Sequence, residues 1–177
     1  MTIAQTTKPP RVRRLVLIIA VAAIAASIDL AVKAIASAEL GNGVILDWGL
    51  VNIQLMTNTG VAFGLGSSLP TWVVMGFTGA VIAGLAAYLI ARSHRMTLLS
   101  TIGGGLLLGG ALGNFIDRLD GSGVVDYLHT GWFATFNLAD VFVTAGVATL
   151  LLGMLVGQRS ATGTGPGHNS DLRPSDL

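Results

Sequence analysis

Four long apolar stretches, at about residues 14–36, 70–91, 96–117 and 137–157, alternate with shorter polar ones along the chain. No Asp, Glu, Lys or Arg lies between Trp48 and Ala91, between Met96 and Ile116, or between Val141 and Gln158. Each gap holds the roughly 20 residues that a helix needs to cross a bilayer core, so four membrane-spanning helices are expected. The first stretch follows Arg11, Arg13 and Arg14, as the apolar part of a signal peptide would. It runs on through Asp29 and Lys33 to about Ile35, however, which favours a retained span.

Between the first two spans the period changes. Val44, Leu46, Trp48, Leu50, Asn52, Gln54 and Met56 alternate with Ile45, Asp47, Gly49, Val51, Ile53, Leu55 and Thr57, which predicts short strands within a β segment at about 40–66. Asn58-Thr59-Gly60 supplies turn chemistry, and Phe63 to Pro70 reads as an irregular link into the second span. In the third span Gly105, Gly109 and Gly113 recur every four residues, so one helical face lets a neighbouring backbone approach closely. Residues 158–177 are rich in Gly, Ser and Thr, carry little apolar surface and are expected to be disordered.

Composition agrees with a membrane chain: 52% of the 177 residues are hydrophobic and 11% charged, against about 25% charged in soluble domains. With no cysteine, disulfides and thiolate metal sites are excluded. His94, His129 and His168 are too far apart in sequence to suggest a ligand set, and no metal or cofactor is expected. A net charge of +1 gives no reason to expect nucleic acid. The basic residues instead flank the first span, the loop Arg92-Ser-His-Arg95 and the end of the fourth span. By the positive-inside rule residues 1–13 and the tail are then cytoplasmic, and the 39–69 and 118–136 segments lie together on the other side. Trp48, Trp72 and Trp132 would form an interfacial aromatic belt there.

Polar residues gather at that far side. Asn114, Asp117 and Arg118 stand at i, i+3 and i+4, so they share one side of a helix end. Asn137 and Asp140 are three apart at the start of the fourth span, with Thr144 one turn further, and Asn137 is a natural helix cap. Asp29 and Lys33, four apart, can pair, either as a plain ion pair ending the span or as part of a substrate cleft. Capping explains one of Asn137 and Asp140 but hardly Asp126, Asp140, Asp117, Asn114 and Asn58 together. Two carboxylates held close cannot both ionise cheaply, and a pair sharing one proton can serve as general base and general acid on a peptide bond. Asp126 with Asp140 is the expected dyad. Asp117 is the rival partner of Asp140, but Arg118 and Asn114 beside it suit a permanently ionised carboxylate. A small transporter or proton pathway is the alternative class; no internal repeat supports it, and the acids sit at one interface.

The strings Asp29 with Lys33, Asn58-Thr-Gly-Val-Ala-Phe-Gly64, Gly109-Gly-Ala-Leu-Gly-Asn-Phe-Ile-Asp-Arg118, Gly123-Val-Val-Asp-Tyr127 and Phe136-Asn-Leu-Ala-Asp140 resemble, in order, the motif set of the lipoprotein signal peptidases of bacteria. The resemblance spans about Arg14 to Leu155. It implies a four-helix inner-membrane aspartic endopeptidase, a monomer among membrane lipids, acting near the extracytoplasmic face. Its substrates would be diacylglyceryl-modified prolipoproteins, cleaved just before the lipidated cysteine, and cyclic lipopeptides of the globomycin type would be inhibitors. The family's catalytic aspartates fall on Asp126 and Asp140; its supporting residues fall on Asn58, Asn114, Asp117, Arg118, Asn137, Asp29 and Lys33. The family's mobile loop would be the stretch just after Asn58. Two departures stand out: Tyr127 occupies a position more often Phe, and the Asp126 to Asp140 connection is compact.

Overall fold

The computed structural model describes residues 11–60 and 69–162, with side chains through 158. The stretch expected to be mobile after Asn58 lies outside the described residues from Val61 on, as do most of the Phe63–Pro70 link, residues 1–10 and the tail beyond Thr162. Seven elements follow one another: α1 (Arg11–Leu40), β1 (Ile45–Asp47), β2 (Asn52–Asn58), α2 (Thr71–Arg92), α3 (Leu98–Asp117), β3 (Val124–His129) and α4 (Leu138–Thr162). All four helices are long and apolar enough to cross a membrane.

α1 is longer than the apolar run alone suggested. No Gly or Pro interrupts Arg11–Leu40, and its 30 residues make a rod of about 45 Å, more than the bilayer core requires. It ends where a Cβ on Gly41 would sit 2.7 Å from the Ser37 carbonyl oxygen. The surplus turns carry Ala36 and Leu40 beyond the bundle to form a small apolar cluster with Tyr127, joined by Ile53, Leu55, Val125 and Leu138. This cluster seats the sheet on the helices.

The sheet has the order β1-β2-β3 and is antiparallel throughout. β1 lies within the alternating 44–57 segment, and β2 runs through it to Asn58, the first residue of the expected turn. β3 was not anticipated from the sequence: it pairs Asn58 with Val124 and Met56 with Asp126, after a register shift between Ile53 and Met56. Its sequence signal was a short β-branched and aromatic run between Gly123 and Thr130-Gly131, interrupted by an aspartate. Gly123 has φ of +100°, and a Cβ there would meet the Asn58 carbonyl oxygen at 2.7 Å, so glycine lets β3 start hard against the end of β2.

α3 is the central helix. Thr97 caps it, its hydroxyl accepting the Ser100 N–H at 3.0 Å. Gly105, Gly109 and Gly113 face α1: a Cβ on Gly109 would lie 2.5 Å from the Ala22 carbonyl oxygen. Gly110 faces α4, 2.5 Å from the Ala139 carbonyl oxygen by the same construction. Backbone therefore packs on backbone along two sides of α3. α2 packs mainly on α3, which leaves a groove between α2 and α4. α4 continues to Thr162, past the boundary at 157 expected for the last span; Gln158 to Thr162 contain no Gly or Pro, and Gly163 follows.

Candidate active site

The first turn of α4 carries Asp140, and side chains of three different elements satisfy its free amides. The Asn137 carboxamide oxygen accepts the Asp140 N–H at 3.0 Å, while the Asp140 carboxylate accepts the Asn137 N–H at 3.2 Å, a reciprocal capping box. The Asp29 carboxylate of α1 accepts the Ala139 N–H at 2.8 Å, and the Tyr127 hydroxyl of β3 accepts the Leu138 N–H at 3.2 Å. Burial raises the Tyr127 phenol to about 12, so it stays protonated. α4 thus begins at one fixed height against α1 and β3.

Asn137 also joins the two candidate carboxylates. Its amide nitrogen donates to Asp126 Oδ1 at 2.7 Å, its backbone amide donates to Asp140, and its side chain is fully buried. Capping and carboxylate binding are therefore two functions of one residue. β3 is stapled to the same place, because Tyr127 N–H and Leu128 N–H both donate to the Phe136 carbonyl oxygen, at 3.1 and 2.9 Å. Asn114 completes the link: its Nδ2 donates to Asp140 Oδ1 at 2.8 Å and its Oδ1 accepts from Asn137 at 3.0 Å.

Lys33 lies behind this layer with three acceptors: Asp29 at 2.7 Å, Asp117 at 2.9 Å and Asn114 Oδ1 at 2.8 Å. The Asp29–Lys33 pair is thus more than an ion pair closing a span; it ties α1 to α3. Asp117 takes its charge partner from Lys33 instead of from the neighbouring Arg118, and also accepts the Val125 N–H at 3.2 Å. Arg118 instead donates to the Asn114 carbonyl oxygen at 2.8 Å and to the Gly60 carbonyl oxygen at 2.7 Å, holding the Asn58-Thr-Gly60 turn onto the end of α3. Its Nε is buried and has no partner among the described residues. Asn58 keeps its own turn through Gly60 N–H at 3.0 Å, and its side chain also hydrogen-bonds Asp126.

These groups open on a cavity of about 930 Å³. Asp126, Asp140, Asn58, Asn114 and Arg118 line its polar end; Asp29, Lys33 and Asp117 do not. Its apolar end runs down α4 past Val141, Thr144 and Ala148 and reaches Thr78 of α2. Trp132 lines the cavity too, unlike Trp48 and Trp72, although all three indoles are exposed. Burial, with the nearby Asp140 charge second, raises the Asp126 carboxyl to about 6, against lowering by Asn58, Asn137 and Lys33. The arrangement can hold one proton on Asp126 beside a second carboxylate, in a cleft open to an apolar groove. Sequence reasoning missed the Tyr127 hydroxyl and the Gly60 carbonyl; the first was visible only as a substitution within a motif.

Comparison with known proteins gives the family of the chain. A sequence model of signal peptidase (SPase) II matches residues 21–156. A lipoprotein signal peptidase of Shouchella clausii is 39% identical over 127 residues, covering 71% of this chain and 83% of the relative. Another, of Rhodococcus jostii, is 33% identical over 159 residues, covering 85% and 78%. A bacterial membrane enzyme solved by the in meso method at 2.3 Å resolution superposes with a TM-score of 0.71 at 26% identity, over 85% of this chain and 93% of that one. The class is therefore that of membrane peptidases. Within it, the chain belongs to the signal peptidase II family, the lipoprotein signal peptidases.

Proposed function

We propose that the protein removes signal peptides from diacylglyceryl-modified prolipoproteins, cleaving before the lipidated cysteine with Asp126 and Asp140 as an aspartic dyad. One observation carries the dyad: Asn137 bonds both carboxylates, and both line the cavity that opens on the apolar groove between α2 and α4. Asp117, held by Lys33 and the Val125 amide and set back from the cavity, is a structural carboxylate in this reading.

Burial favours the neutral form of Asp126, which makes it the acid that polarises the scissile carbonyl. Asp140, oriented by Asn114 and by its own capping box, takes the proton from the attacking water. Asp140 passes the proton it took from water to the leaving nitrogen as the C–N bond breaks, and Asp126 recovers its own proton from the gem-diol hydroxyl as the product carboxyl forms, so the pair again holds one proton. Arg118 and Asn58 shape the polar end of the cleft, and the groove toward Thr78 accepts the acyl chains while the peptide crosses the dyad. The shared titration belongs to the pair, and a rate that depends on the Asp126 proton falls as pH rises through about 6.

The reading includes orientation. Arg11 reaches the Ile90 carbonyl oxygen at 3.2 Å, so the basic start of α1 and the basic end of α2 meet at the pole opposite the sheet. That pole is cytoplasmic by the positive-inside rule, which puts both termini there and the dyad at the extracytoplasmic face of the bacterial inner membrane. Because the chain has no cysteine, single cysteines at Asp47 and His94 test this directly. A membrane-impermeant maleimide should label the first in intact cells and the second only after lysis.

The deciding experiment is cleavage of a diacylglyceryl-modified prolipoprotein by purified protein and by Asp126→Asn, Asp140→Asn and Asp117→Asn at matched folding. The dyad stands if the first two variants lose at least about a thousandfold while the third keeps measurable turnover. Turnover by Asp126→Asn with a dead Asp117→Asn would require a different pair.

A further inference from the structure

Residues 130–135, most of the compact connection between β3 and α4, lie outside the contacts that position the dyad, which run through Asn137, Asn114 and the Phe136 carbonyl oxygen that staples β3. Yet Thr130, Trp132, Phe133, Thr135 and Phe136 all line the cavity. Three rings form a graded ladder. Phe136, half-buried, sits one residue from Asn137 and meets Phe133 edge-on with centroids 6.1 Å apart; Phe133 meets Trp132 edge-on at 5.7 Å. Exposure climbs outward, from Phe133 at 41% to Trp132 at 85%.

The ladder is braced from behind. The Thr135 hydroxyl lies 3.1 Å from His129 Nδ1 of β3 and 3.0 Å from the Met56 sulfur of β2, so the connection is clasped to two strands of the sheet. A short loop that leaves β3 directly and is clasped again at Thr135 and Phe136 holds its rings in place before any ligand arrives, which lowers the ordering cost of binding. Its rings line the same cavity as the dyad and as Val141 and Ala148 of α4.

We propose that Phe133 and Trp132 are specificity-determining residues: they form an aromatic wall that receives one large apolar side chain of the signal peptide, close to the scissile bond. The assignment rests on the peptidase reading above. The groove beside α4 is left for the acyl chains, and the ladder is a second apolar surface of the same cavity among the described residues, open to a peptide bound at the dyad. Edge-to-face rings offer ring faces to an aliphatic side chain, and a missing group there costs about ten- to two-hundredfold in discrimination.

The test uses full-length protein in detergent–lipid micelles and synthetic diacylglyceryl-modified precursor peptides. Each of the four residues before the lipidated cysteine is set in turn to Leu, Ala or Gln. Phe133→Ala and Trp132→Ala should each lower kcat/KM about tenfold or more for the Leu peptide at one position, and less than twofold for the Ala peptide at that position. Phe133→Leu should restore most of the loss. Thr135→Val, which removes the clasp but keeps the shape, should weaken the Leu-over-Ala preference severalfold. Equal losses on every peptide would make the rings membrane anchors and overturn the wall, as would no loss at all. If wild-type protein cleaves none of the peptides, the peptidase reading falls and the wall with it; if it cleaves them and the variants keep its preferences, only the wall falls.

Discussion

Lys33 of α1 holds Asp117 of α3 at 2.9 Å, across a distance of 84 positions in the chain. The same ammonium meets Asp29 at 2.7 Å, so one buried cation faces two carboxylates behind the site, Asp29 fully buried and Asp117 partly so. Removing it leaves both without a counter-charge. Lys33→Met should therefore cost about 3–5 kcal/mol, the range seen when one partner of a buried ion pair is lost, read as a lower unfolding midpoint in detergent. Asp117→Asn in the same chain should recover part of that loss, because it removes one of the two stranded charges. An unchanged midpoint for Lys33→Met would mean that the pair contributes nothing to the fold.

Asp126 makes a prediction whose sign runs against habit for a carboxylate. Its folded value, about 6, lies above the ordinary value of 3.8, so between about pH 4 and 6 the folded protein binds more protons than the unfolded chain. Stability from this group is then greatest below pH 4 and falls as pH rises to 6. Asp126→Asn carries no charge to bury and still accepts from Asn137. It should be inactive yet more stable than wild type at pH 7–8 by roughly 2–3 kcal/mol, the equivalent of a shift of about two units. The difference should vanish near pH 4. A variant less stable than wild type at pH 8 would refute the burial cost assigned to Asp126.

Asn58 tunes the same proton. Its side-chain hydrogen bond favours the charged form of Asp126. Asn58→Ala should raise the Asp126 value further and move the alkaline limb of the kcat profile to higher pH. A purely structural role for Asn58 would lower kcat at every pH without moving the limb, so the profile separates the two.

Much of this is legible in the sequence. The spans are, because long charge-free runs have few other uses; so is the Asn137–Asp140 cap, because a capping residue three positions before an acid is a local signature. What failed was non-local. The spacing puts Asn114, Asp117 and Arg118 on one side of a helix end, but only Asn114 and Arg118 line the cavity, while Asp117 turns to Lys33 on another helix. Spacing gives a side of a helix and says nothing of what packs against it. β3 escaped for a related reason: its partner strand, β2, is more than 60 positions away, and the aspartate at its centre hides the apolar run.

The glycines of α3 were legible as packing, but the structure separates one from the rest. A Cβ on Gly113 would lie 2.5 Å from Asp29 Oδ2, so this glycine makes room for the carboxylate that binds Lys33 and the Ala139 amide. Gly113→Ala cannot be accommodated by a small shift, since Asp29 is held from both sides. The substitution should cost about 1–3 kcal/mol as overpacking and, by moving the start of α4, lower kcat by at least tenfold with little change in KM. Gly84→Ala in α2 is the matched control: nothing lies within 4 Å of its added methyl, and alanine is the better helix former by about 1 kcal/mol. It should be fully active and no less stable than wild type. Equal behaviour of the two variants would remove Asp29 from the chain of contacts that positions Asp140, leaving the capping box and Asn114 to do so alone.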